Sequence, residues 1–261
     1  MKRLLLLSTL LIFACSSDDS SNDNDNNDND CNNDNNNNNT FICDGVPYDS
    51  IVYGTQEWTV ENACHITYRD GTPIPEVTGD TQWENLTTGA WCYYNNDPTK
   101  PRLYNWYAVM GIHDNDENTA NKEFAPEGWH VPSDAEWTTL VDYIRNNPNY
   151  VDLPLYSTGK AMASTSGWDY FQGSGGEVGN DKCLNNSSGF NAFPEGWRGD
   201  IPSYFDGEGK TAVFWSSTEI YNPITSLLDV AIKHQTSWST RWFASNWNYK
   251  STGFSVRLVK D

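Results

Sequence analysis

Apolar and polar positions follow two different periods along this chain. Trp137, Leu140, Val141 and Ile144 recur at i, i+3, i+4 and i+7, which is one stripe on one face of a helix. Ser133 stands before the stripe and Glu136 three residues later, a capping box in which each side chain takes a free amide. Asp134 and Glu136 also complement the positive end of the helix dipole. Asn146-Asn147-Pro148 stops the helix. Elsewhere the apolar residues come in short runs broken by turn formers, and strands are expected at 56–60, 91–94, 103–109, 228–232 and 254–259. A second, shorter helix is expected over 159–163. Few helices among many short strands define an α+β domain.

The N-terminus follows neither period. Lys2 and Arg3 precede an apolar run from Leu4 to Phe13, too short to span a bilayer and suited to a secretory signal peptide. Ile12-Phe13-Ala14-Cys15 resembles the bacterial lipobox, which implies cleavage after residue 14 and lipidation of Cys15. The acidic Ser16-Ser17-Asp18-Asp19 that follows resembles the signal carrying Bacteroidota lipoproteins to the outer face of the outer membrane. Residues 16–39 consist of 12 Asn, 7 Asp, 4 Ser and one Cys. Such a stretch cannot bury enough surface to offset its ordering entropy, so residues 15–44 are expected to be a disordered tether. The folded domain is expected at 45–261.

Charge narrows the partners. The chain carries 16 Lys and Arg against 35 Asp and Glu, a net charge of −19. Residues 45–261 keep 27 of those acids and 14 of those bases, so the domain is acidic in its own right. Nucleic acid, which needs a basic face, is excluded as a partner. Attachment to membrane is expected through the lipid on Cys15 alone.

Several segments, in order, resemble the Fibrobacter succinogenes major paralogous domain. They are Gly54-Thr55-Gln56-Glu57-Trp58, Tyr68-Arg69-Asp70-Gly71-Thr72-Pro73, Trp91-Cys92-Tyr93-Tyr94-Asn95-Asn96-Asp97 and Leu103-Tyr104-Asn105-Trp106-Tyr107-Ala108. Pro126-Glu127-Gly128-Trp129-His130-Val131-Pro132-Ser133-Asp134-Ala135-Glu136-Trp137, Gly189-Phe190, Trp215-Ser216-Ser217-Thr218-Glu219 and Gly253-Phe254-Ser255-Val256-Arg257-Leu258-Val259 complete the set. The helix start and the terminal motif also resemble the formylglycine-generating branch of the C-type lectin-like fold. That likeness implies a twisted, mostly antiparallel sheet with one clear helix and long loops. Fold alone does not give function.

Chemistry is sparse. The formylglycine-type enzymes use a late cysteine pair, and no Cys follows Cys183. The stretch after His113 lacks the Gly and Glu of a calcium loop. The four His are scattered, and His130 is expected to be a hydrogen bonder at the edge of the core. No catalytic residue, metal or cofactor is therefore expected. In an oxidising compartment the expected disulfide is Cys64–Cys92, with Cys43–Cys183 next and Cys31 free. The remaining signal is aromatic: 12 Trp and 14 Tyr exceed what a core normally needs. Trp238, Trp242, Trp247 and Tyr249 crowd a stretch of Ser, Thr and Asn, which suits loops or a short hairpin whose rings stack on a ligand. The expectation is a non-catalytic adhesion module for a glycan or a surface protein. Alternatives are a divergent hydrolase or oxidase, or a structural part of a surface assembly.

Overall fold

The computed structural model describes residues 48–151, 157–222, 224–225 and 229–261. The expected signal peptide (1–14), Cys15, the tether (15–44) with Cys31 and Cys43, and the domain start at 45 lie outside them. In chain order the elements are β1 (Ser50–Tyr53), β2 (Gln56–Thr59), α1 (Asp80–Glu84), β3 (Trp91–Tyr93), β4 (Arg102–Tyr104), α2 (Trp106–Val109) and β5 (Trp129–His130). Then come α3 (Asp134–Asn146), α4 (Thr158–Met162), β6 (Glu195–Arg198), β7 (Phe205–Glu208), β8 (Thr211–Ile220), β9 (Val230–Ser237), β10 (Ala244–Tyr249) and β11 (Val259–Lys260). The strands form small antiparallel sheets ordered β1-β2-β11-β5, β10-β9-β8, β3-β4 and β6-β7. The class is α+β, as the pattern predicts.

Local chemistry explains most of these elements. In α3 the Ser133 hydroxyl accepts from the Glu136 amide while the Glu136 carboxylate accepts from the Ser133 amide, and Trp137, Leu140, Val141 and Ile144 are its buried face. The β1–β2 turn places Gly54 at φ +63°, a conformation that costs a side chain but not glycine.

Two expected strands are corrected. The run 103–109 is a strand only to Tyr104. The Asn105 side chain then accepts from the Ala108 amide at 2.9 Å, and the chain turns into α2. The run 254–259 is extended but pairs piecemeal. Phe254 bridges Tyr104, Ser255 bridges Phe214, and Val259 lies between Trp58 and His130. The strand expected at 228–232 runs over Val230–Ser237 as β9.

The three-stranded sheet separates the two larger cores. Successive side chains on a strand face opposite ways. Ala212 and Phe214 join Trp58, Trp137 and Phe190, whereas Val213 and Trp215 join Tyr104, Trp106 and Phe254. Trp137 is the hub of the first core, stacked 5.1 Å from His234 and 5.7 Å from Phe243. Much of the aromatic surplus is therefore core: Trp58, Trp83, Trp137 and Trp215 are fully buried.

The expected Cys64–Cys92 disulfide does not form. Cys92 is a free, buried thiol, while Cys64 and Cys183 are each engaged in a disulfide. The pleat gives the reason. Trp91 and Tyr93 face the Arg102 guanidinium, which also donates to the Cys64 carbonyl. Cys92, between them, faces the other way into a third core with Val77, Trp83 and Leu103. Burial there pushes its thiol up to about 11.

Candidate binding surface on the C-terminal hairpin

The four aromatic residues singled out from the sequence all lie on or beside the β9–β10 hairpin, in three different settings. Trp238 follows β9 and is half-buried against the first core. Its ring meets Phe171 edge-on at 5.2 Å and lies 6.0 Å from the Lys210 ammonium, and its carbonyl accepts from the Gly179 amide at 2.7 Å. Those contacts give Trp238 an anchoring role.

Trp242 is held outward by its neighbours. The Arg241 carbonyl accepts from the Gly159 amide and the Ser157 hydroxyl, each at 3.0 Å. The Phe243 amide donates to the Thr158 hydroxyl at 3.0 Å, and its ring is buried. With both flanking residues fixed to the start of α4, the Trp242 side chain is left 49% exposed.

Trp247 and Tyr249 lie on β10, the edge strand of its sheet, opposite Ile232 and Val230 of β9. Two residues apart, they share a face, and their rings meet edge-on with centroids 6.2 Å apart. The structure brings these two together.

Asn246 and Asn248 were not singled out from the sequence, although the alternation Asn-Trp-Asn-Tyr is itself a strand signal. The Trp247 amide donates to Asn246 Oδ1 and the Tyr249 amide to Asn248 Oδ1, each at 2.8 Å. Among the described residues, neither Nδ2 donates a hydrogen bond within the protein.

No charged residue occurs from Trp242 to Tyr249. The cations that flank this stretch are already paired. Arg241 meets Glu177 at 3.1 Å, and Lys250 meets Glu219 while lying 4.6 Å over the Trp106 ring. Lys233, opposite Asn246, is buried over the Phe254 ring, and burial lowers its ammonium to about 8. The hairpin therefore offers a neutral aromatic and amide surface on an acidic protein.

Other polar clusters are internal. Arg257 Nε donates to Asn62 Oδ1 at 2.5 Å, Asn62 Nδ2 to Glu195 Oε2 at 2.5 Å, and the Ser255 hydroxyl to the same oxygen at 2.7 Å. Burial raises the Glu195 carboxyl and lowers the Arg257 guanidinium to about 10. His130, at the edge of the core, is bracketed by Glu136 at 2.8 Å and Asp261 at 2.7 Å. Among the described residues, no three His, Cys, Asp or Glu side chains gather into a metal-holding group.

Small antiparallel sheets, few helices and a C-terminal aromatic hairpin define the class of this domain. Residues 51–260 match the Fibrobacter succinogenes major domain, and the chain belongs to that family. No curated protein and no solved structure matches it.

Proposed function

We propose that this chain is a lipoprotein anchored through Cys15 on the outer face of the outer membrane. Its domain, C-type lectin-like in fold, is a non-catalytic adhesion module that takes glycans. One observation carries the binding part: Trp247 and Tyr249 stand side by side on an edge strand, within an uncharged stretch of an acidic domain. Aromatic rings stack on the apolar faces of sugar rings, each contact worth about 0.5–1.5 kcal/mol beyond its burial. Two or three such contacts give weak single-site binding that many copies on a cell surface would strengthen. The lipobox-like sequence and the acidic residues after it support the location.

The test is a glycan array overlaid with intact cells displaying the full chain. Cells with the natural sequence are retained on a subset of glycans. Cells carrying Trp247→Ala with Tyr249→Ala, or Cys15→Ala, are not. Retention that survives all three substitutions would refute the reading.

A further inference from the structure

An edge strand normally presents a row of free amides and carbonyls to which another strand can add. Proteins block such edges with charges, prolines or bulges. Strand β10 has no charge and no proline, and it pairs with β9 through six consecutive residues without a register shift. Its protection is of another kind. The amides of Trp247 and Tyr249, on one side of the strand, are each occupied by the side-chain oxygen of the preceding Asn. A neighbouring strand would have to displace both.

The same geometry fixes what the edge offers instead. With its Oδ1 turned to the backbone, each Asn amide directs its hydrogen-bond donors elsewhere. Asn246 and Asn248 stand two residues apart, about 7 Å along a strand. The rings of Trp247 and Tyr249 alternate with them across the pleat. A ligand suited to this edge supplies acceptor oxygens to the amides and apolar faces to the rings. An anionic polymer would meet a domain of strongly negative charge with both flanking cations already paired. A neutral chain would not.

We infer that the outer edge of β10 is a binding strip for a neutral glycan chain. The Nδ2 groups of Asn246 and Asn248 donate to its hydroxyl and ring oxygens, Trp247 and Tyr249 pack on its ring faces, and strand addition is excluded. This inference rests on the glycan-binding reading above and adds the amide donors, the neutrality of the ligand and the closure of the edge.

The experiment uses the purified full chain in affinity electrophoresis. The probes are mixed-linkage glucan, galactomannan and arabinoxylan, with polygalacturonate as the anionic control. Asn246→Asp with Asn248→Asp keeps the backbone acceptors and removes the donors. Asp206 already caps the next amide in this way, with the Gly207 amide 2.7 Å from its carboxylate. At least one neutral polymer is expected to retard the natural chain while polygalacturonate does not. The Asp pair should weaken that retardation about tenfold, the loss of one or two hydrogen bonds, with an unchanged melting temperature. Asn246→Val with Asn248→Val, which uncovers the amides, should form concentration-dependent dimers in sedimentation. If the Asp pair binds as the natural chain does while Trp247→Ala with Tyr249→Ala does not, the strip fails and the glycan reading survives. Retardation by none of the neutral polymers overturns both. A Val pair that stays monomeric overturns the closure of the edge.

Discussion

At the scale of single residues, two histidines that contact the start of α3 give opposite pH responses. His234 stacks on Trp137 and its Nε2 lies 2.8 Å from Asp134. Burial lowers its pKa from 6.5 to about 4, with the Lys233 charge adding to that and Asp134 opposing it. Below about pH 6.5 the unfolded chain gains a proton that the folded chain refuses. His234 therefore makes stability fall as the pH drops from 6.5 towards 4. For His130, burial works to lower the pKa, but Glu136 and Asp261 outweigh it and raise it. Its contribution is present below pH 6.5 and is lost as pH rises through the raised value. The expected result for His234→Gln is a smaller loss of stability from pH 7 to pH 4.5 than in the natural chain, measured by urea unfolding. Equal losses would show that His234 is not the acid-sensitive group. The hydrogen-bonding role of His130 was legible from its place before the helix. That of His234 was not, because its partner is 100 residues away in sequence.

At the scale of elements, the sequence disclosed those whose signals are local. The capping box and stripe of α3 lie within a dozen residues, and their reading stands unchanged in the structure. The 103–109 run was misread because Leu103, Tyr104, Trp106, Ala108 and Val109 are apolar on both periods. The deciding residue was Asn105, an N-cap type in the middle of the run. It is fully buried, and its Oδ1 accepts from two amides, Ala90 at 3.0 Å and Ala108 at 2.9 Å. One side chain thus ends β4, starts α2 and ties both to the segment that leads into β3. Asn105→Ala would leave two buried amides without acceptors, a loss of roughly 2–4 kcal/mol. Ser133→Ala, at the half-exposed start of α3, should cost only about 1 kcal/mol. Urea unfolding of the two variants should preserve that order, and a reversal would mean that Asn105 is dispensable to the turn. The hairpin shows the same limit. Its polar and aromatic composition was visible, but which rings anchor and which face out depended on contacts with Phe171, Lys210 and the start of α4.

At the scale of the whole molecule, the small sheets are held together by the C-terminal segment that they share. Between Phe254 and Lys260 the chain pairs with β4, β8, β2 and β5 in turn. Arg257 is the tie at its centre. Its guanidinium donates to the Thr59 carbonyl at 2.9 Å and to the Phe190 and Asn191 carbonyls, each at 3.1 Å. Through Asn62 it also offsets the buried Glu195 carboxylate. The terminal motif could be recognised in the sequence, but its partners lie from about 40 to nearly 200 residues away, beyond any local pattern. If the segment unites the fold, loosening it should open every core, including the third one, which it does not line. Cys92 reports on that core. Its buried thiol, pushed up to about 11, reacts only when the surrounding structure opens. Arg257→Leu breaks a buried charged network, which costs roughly 3–5 kcal/mol. Labelling of the Cys92 peptide by a thiol reagent under native conditions should then accelerate roughly a hundredfold or more. Acceleration at Cys92 matching the loss of global stability would place all three cores in one cooperative unit. An unchanged labelling rate in a clearly destabilised variant would mean instead that the third core, built on β3, β4 and α1, opens independently of the C-terminal tie.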